Sequence, residues 1–187
     1  MLRPATLVDL PVLRALIRDG AVAGGVDRQG AGDSSEAKQL FANLREALAT
    51  GYFVEKDPHS GGLATIAVPG YVYLPDDDGM SDRPAGFGLF RAAAVGYDLW
   101  LTGVDPKRRE QGPPMLSALL KTPPGQKAYI VRVGAAVRES PAMVHLLLSS
   151  GYTRARETPQ YTWYLRNDAP EAVSRQLLPQ QTRAAAR

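Results

Sequence analysis

Apolar residues recur at helical spacing twice near the start of the chain. Leu10, Leu13, Leu16 and Ile17 mark one stripe, with Thr6 or Asp9 placed to cap it and Pro11 tolerated in its first turn. A glycine-rich break from Gly24 to Gly32 ends that element. The second stripe is Ala37, Leu40, Phe41, Leu44 and Leu48, opening at Asp33 or Ser34 with Glu36 placed for a capping box. From Tyr52 the period shortens to that of strands. The runs Tyr52–Val54, Leu63–Val68, Tyr71–Leu74, Gly86–Ala92 and Leu99–Val104 are each bounded by Gly, Pro or Asp. Met115, Leu116, Leu119 and Leu120 form one face of a short helix stopped by Pro123 and Pro124. Tyr129–Val133 reads as an apolar strand interrupted by Arg132. Ser140 and Pro141 then start a helix to about Ser150, with Gly151 at its C′ position. A closing strand pair spans about Tyr152–Arg156 and Tyr161–Leu165. Leu2–Ala5 suits an edge strand. The order predicts a mixed α/β (α+β) domain over residues 1–167, with 168–187 a flexible tail holding at most a helical turn near Ala172–Leu178.

Composition narrows the chemistry. The 187 residues contain no cysteine, which excludes disulfides, thiol nucleophiles and thiolate metal sites. His59 and His145 stand too far apart to suggest metal-ligand spacing, so no metal is expected. A net charge of +3 does not by itself mark a nucleic-acid binder, and no dense basic patch is visible. No run approaches the roughly 18 apolar residues of a membrane span. Asp9 and Arg14 interrupt the N-terminal apolar stretch, unlike a secretory signal, and the expected location is cytoplasmic.

The most informative stretch is VDPKRREQGPPMLSALL, from Val104 to Leu120. It reads as a strand end, a basic loop with a glycine, and a helix start. Unpaired N–H groups and the positive end of the helix dipole suit a phosphate there, and Lys107, Arg108 and Arg109 add charge. Pro113 and Pro114 oppose that use, because proline has no N–H to donate. Losing two hydrogen bonds to a charged group costs about 3–6 kcal/mol, a hundredfold or more in affinity. The arginine side chains can offset part of it.

Three blocks in order resemble the GNAT acyltransferase superfamily: LRPATLVDLPVLRALI as its first strand and helix, YDLWLTGVDPKRREQG as its fourth strand and acetyl-CoA loop, and SPAMVHLLLSSGY as its fourth helix. The resemblance spans about residues 2–166 and implies a central, mostly antiparallel mixed sheet of six to seven strands flanked by about four helices. The family's cofactor motif is Gln or Arg, two residues, Gly, one residue, then Gly or Ala. Arg109 and Gly112 match its first two fixed positions, Glu110 and Gln111 lie between them, and Pro114 departs from the third. The resemblance implies that the loop, including Arg108, holds the pyrophosphate of acetyl-CoA. The backbone of Thr102, Gly103 and Val104 would pair with the pantetheine arm. Ser140 replaces the family's Asn and could bond the pantetheine or cap its own helix.

Acetyl transfer needs a deprotonated amine and an activated thioester. A carboxylate on the fourth strand often serves the family as base, and Asp98 holds the matching position. Aspartate titrates near pKa 3.9, so it needs burial or a water relay to work near neutrality. The family's usual general acid, a tyrosine, aligns with Leu147 and cannot be carried over. His145 would point to another helix face, and Tyr152 suits packing. Proximity alone supplies much of the rate for an activated thioester. The acidic stretch Asp76–Asp82 could attract a cationic acceptor such as a polyamine, lysine side chain or aminoglycoside, or be a solvated turn. The resemblance thus implies an N-acetyltransferase acting on a small-molecule or protein amine, with a homodimer plausible. The alternatives are a degenerate domain that binds without catalysis and, with Arg154 and Arg156 contacting phosphates, a toxin that acetylates aminoacyl-tRNA.

Overall fold

The computed structural model describes residues 1–22, 34–56, 61–75, 83–134, 140–159 and 161–177. The glycine-rich break, the acidic stretch at 76–82 and the tail beyond residue 177 lie outside them. The strands are β1 (Leu2–Pro4), β2 (Tyr52–Lys56), β3 (Leu63–Ala67), β4 (Gly70–Tyr73), β5 (Gly86–Ala92), β6 (Tyr97–Val104), β7 (Ala128–Gly134), β8 (Tyr152–Glu157) and β9 (Tyr161–Arg166). The helices are α1 (Leu10–Val22), α2 (Ser35–Thr50), α3 (Gly112–Leu120), α4 (Pro141–Ser149) and α5 (Glu171–Leu177). Seven strands form one sheet in the order β1-β4-β5-β6-β7-β9-β8, while β2 and β3 pair separately. Every neighbour in the large sheet is antiparallel except β6 and β7. The fold is the mixed α+β sheet expected, with one more helix than the resemblance implied.

Two apolar layers sandwich the sheet. Leu13, Leu16 and Ile17 of α1 and Phe41 and Leu44 of α2 pack on Phe87, Leu89 and Leu101. On the other face, Met115, Leu116 and Leu119 of α3 and Met143 and Leu147 of α4 pack on Phe90, Leu99 and Val131. The helical stripes seen in the sequence are therefore the buried faces. α5 adds a smaller cluster, setting Val173 and Leu177 against Ile130.

Local chemistry fixes the ends. Ser34 caps α2, accepting the Ala37 N–H at 3.1 Å, so Glu36 does not complete a capping box; Asp33 lies outside the described residues. The N-terminal anchor is instead buried Asp9. It accepts two bonds from Arg3 at 2.8 and 2.7 Å and one from the Thr6 N–H at 2.9 Å, which hold its carboxyl below the usual range. Gly151 takes a φ of +81° after α4, the left-handed conformation expected of a C′ glycine.

Candidate active site

The site begins with one extra residue. Along the β5–β6 ladder Leu89 pairs with Leu101, but the next residue, Phe90, pairs with Leu99. Trp100 is the bulged residue. The side-chain alternation of β6 consequently inverts: Leu99 packs with the α3–α4 layer, whereas Trp100 and Leu101 both face the α1–α2 layer. Trp100 rests beside Phe53, with ring centroids 5.6 Å apart.

The bulge coincides with the end of the parallel pairing. β6 and β7 pair from Tyr97 with Ala128 to Leu99 with Val131, with a register shift after Tyr97, and no further. Beyond that point β7 pairs only with β9, through Arg132, Val133 and Gly134. The two strands diverge and open a cleft of about 290 Å³ walled by Thr102, Gly103 and Val104 on one side and Val131 to Gly134 on the other. Backbone N–H and C=O groups on the diverging edges have no partner strand, which makes the cleft suited to an amide-bearing chain. Gly103 is required by close approach, since a Cβ there would lie 2.4 Å from Cε1 of Phe87 on the neighbouring strand.

Arg109, Gly112 and Pro113 close one end of the cleft, with Ser140 and Met143. Here the structure departs from an open phosphate-binding loop. Pro106–Gln111 winds into a 3₁₀ turn capped by Asp105, whose Oδ1 accepts the Lys107 N–H at 2.9 Å. The Arg108 N–H goes to the Asp105 carbonyl at 2.8 Å, and the Gly112 N–H to the Arg109 carbonyl. Together with the proline nitrogens at 106, 113 and 114, these groups leave the loop poor in outward donors. An anion here would meet the guanidinium of exposed Arg109 first. The space beside Gly112 is open: a Cβ would meet nothing nearer than Met143 Cε at 3.5 Å.

At the bulge end stands Arg132. Its Nη2 donates to the Trp100 carbonyl at 3.1 Å, and its guanidinium lies 4.4 Å from the Tyr161 ring centroid. Asp98 sits one residue before Leu99, half-buried, paired across the ladder with Arg91. Burial pushes its carboxyl above the usual range, while the charges of Arg91 and Arg132 pull the other way. Arg91 is itself ion-paired with Glu55.

Of the residues singled out in the sequence, Thr102, Gly103, Val104, Arg109, Gly112 and Ser140 share the cleft wall. Asp98, Arg108, Glu110, Gln111 and Pro114 are not in it. Gln111 Oε1 instead accepts a long 3.5 Å bond from the Tyr73 hydroxyl. Ser140 occupies the N-cap position of α4 without a side-chain capping bond, so its capping role is not realised. Leu147, at the position of the family's acid, is fully buried. Tyr152 packs as expected, its buried hydroxyl donating to the Ala128 carbonyl at 2.6 Å. His145 is exposed. Arg132 is among the wall residues not singled out as site residues in the sequence; its signal was a charge breaking an apolar strand. Among the described residues no His, Asp and Glu group could hold a metal, and no helix is long and apolar enough to cross a membrane.

No protein-family model matches the chain, and no curated protein matches its sequence. Solved structures do. The chain is similar to the ribosomal-protein-S18-alanine N-acetyltransferase from Escherichia coli, at 16% identity over 91% of this chain and 96% of that one, with a TM-score of 0.52. It is also similar to a protein described as a GNAT-family acetyltransferase from Bacteroides thetaiotaomicron, at 14% identity over 95% of both chains, with a TM-score of 0.51. Identities this low speak to architecture alone. The chain has the fold of the GNAT N-acetyltransferases.

Proposed function

We propose that this chain is an N-acyltransferase that moves an acetyl group from acetyl-CoA to the primary amine of a small-molecule or protein acceptor. The observation that carries the reading is the cleft between β6 and β7, opened by the Trp100 bulge and ending at the start of α3. The residues fit the cofactor unevenly. The backbone of Thr102, Gly103 and Val104 offers edge groups to the pantetheine amides, and the Ser140 hydroxyl lies in the same wall. The pyrophosphate falls to side chains, with Arg109 in the wall and Arg108 beside it, because the amides of Lys107, Arg108 and Gly112 are committed and the prolines at 106, 113 and 114 have none.

Bound acetyl-CoA would supply an activated thioester carbonyl. The acceptor nitrogen forms the new C–N bond as the C–S bond breaks; the thiolate leaves and the nitrogen sheds a proton. Asp98, through water, takes that proton. Its burial favours this role, since a carboxylate held above its usual range is a better base near neutrality. A thiolate whose parent thiol titrates near pKa 8.5 leaves without obligatory protonation, which is consistent with a buried leucine at position 147.

Isothermal titration with acetyl-CoA, followed by thiol release across a panel of amines, tests the reading. Binding with amine-dependent thiol release is the expected result; no binding at millimolar acetyl-CoA would overturn it. The committed amides of the 3₁₀ turn favour a second reading, a domain that binds a ligand without catalysis. Its signature is binding with no release for any amine.

A further inference from the structure

Arg132 has more donors than the protein uses. A guanidinium carries five N–H groups, and among the described residues the one hydrogen bond made by this side chain goes to the Trp100 carbonyl. Asp98 acts on it electrostatically but is neither hydrogen-bonded nor ion-paired with it. The group is half-buried, lines the cleft, and sits over the Tyr161 ring. Its orientation is therefore fixed before any ligand arrives, so little side-chain entropy remains to be lost on binding. Among the described residues no carboxylate shares the cleft wall: its charged members are Arg109 at the α3 end and Arg132 at the bulge end.

The two arginines stand at different ends of the cleft. Val131 and Val133 face the α3–α4 layer, and Arg132 between them faces the opposite side of the sheet, as Ile130 does. Arg109 stands where a pyrophosphate would enter. Arg132 stands past the divergence of the strands, beside the bulge, on the side from which Gly20 of α1 closes the cleft. A preorganised planar fork with vacant donors is the arrangement that binds a carboxylate through two parallel hydrogen bonds.

We propose that Arg132 is the receptor for a carboxylate carried by one of the two transfer partners, next to the reacting carbonyl. The carboxylate belongs either to the distal end of a dicarboxylic acyl thioester or to an amino-acid-type acceptor. The inference rests on the acyltransferase reading and narrows it: Arg132 sets specificity, and a plain acetyl group offered to a plain alkylamine is not the best pairing.

The experiment has a donor arm and an acceptor arm. The first compares the affinity of the intact chain for succinyl-CoA and acetyl-CoA by isothermal titration. The second compares thiol release with matched acceptors, lysine against cadaverine and tyrosine against tyramine. A preference of about tenfold or more for the carboxylate-bearing member in either arm is expected, and the arm that shows it identifies the source. Arg132→Gln should abolish that preference. Arg132→Lys, which keeps the charge without the fork, should retain part of it and serves if the glutamine variant does not fold. Binding of CoA thioesters with no preference in either arm overturns this inference alone, as does a preference that survives in a folded Arg132→Gln protein. Failure of every CoA compound to bind overturns the acyltransferase reading and this inference with it.

Discussion

At the bulge end of the cleft, an extra residue turns a backbone carbonyl out of the sheet and a side chain, Arg132, answers it. At the α3 end, prolines and a tight 3₁₀ turn withdraw backbone donors, and another side chain, Arg109, stands beside the gap. The first arginine is half-buried, seated over an aromatic ring and hydrogen-bonded; the second is exposed at the rim. The contrast separates two ways of presenting positive charge. A fixed guanidinium in a cleft discriminates by geometry, whereas an exposed one attracts anions weakly and is screened by salt. On the proposed reading, the bulge end sets specificity, and the α3 end relies on charge where backbone amides would serve better.

The largest expected effect lies at the bulge end. Asp98→Asn should lower kcat by about a hundredfold or more if the carboxylate takes the amine proton. The folded-state value of Asp98 lies above the unfolded one, so the catalytically useful ionised form appears only as pH rises through that raised value. The acid limb of kcat/KM should accordingly sit at higher pH than an ordinary aspartate near 3.9 gives, and vanish in the variant. The same shift acts oppositely on stability: Asp98 favours folding fully below its unfolded value, and that contribution is lost as pH rises through the folded one. An unmoved pH–rate profile in Asp98→Asn would remove it from the mechanism.

Restoring a donor at the α3 end comes next. Pro113 lines the cleft and Pro114 is exposed outside it. Pro113→Ala should tighten CoA binding by about tenfold, one hydrogen bond to a charged group, with a smaller gain for Pro114→Ala. Titration calorimetry of both variants decides it, and equal affinity to the parent would show that the phosphates do not approach this turn.

Two glycines sharpen the comparison further. Gly103→Leu forces a side chain into the Phe87 ring and should cost about 1–3 kcal/mol in denaturant unfolding. The smallest effect is at Gly112, where φ is −59° and a Cβ meets ordinary contacts only. Gly112→Ala should leave stability unchanged or raise it by up to about 1 kcal/mol, yet weaken CoA binding several-fold, because there the ligand and not the protein needs the space. Unchanged binding would place the phosphates elsewhere.

Much of this molecule was legible before folding. The strand Gly86–Ala92 and the start of α4 at Pro141 lie where the residues put them, and the helical stripes became the two apolar layers. Where a choice depended on contacts, the residues alone did not decide: Ser34, one of two candidates, caps α2, and the Ser140 hydroxyl, expected to cap its own helix, leaves it uncapped. The apolar run Leu99-Trp100-Leu101 hid the bulge, because three large residues in a row carry no alternation to break. Arg132 stood out as a charge in a strand, but its contacts with Trp100 and Tyr161, which lie far from it in sequence, were not legible there.

Period, capping signals and turn residues act over a few positions, and through them the sequence by itself determined the elements, their order and the basic loop before α3. The tertiary structure alone decided the rest: the register between β5 and β6, the divergence of β6 from β7, and which loop amides remain to meet a ligand. These depend on pairing between segments distant along the chain, where one unpaired residue inverts the faces of everything after it.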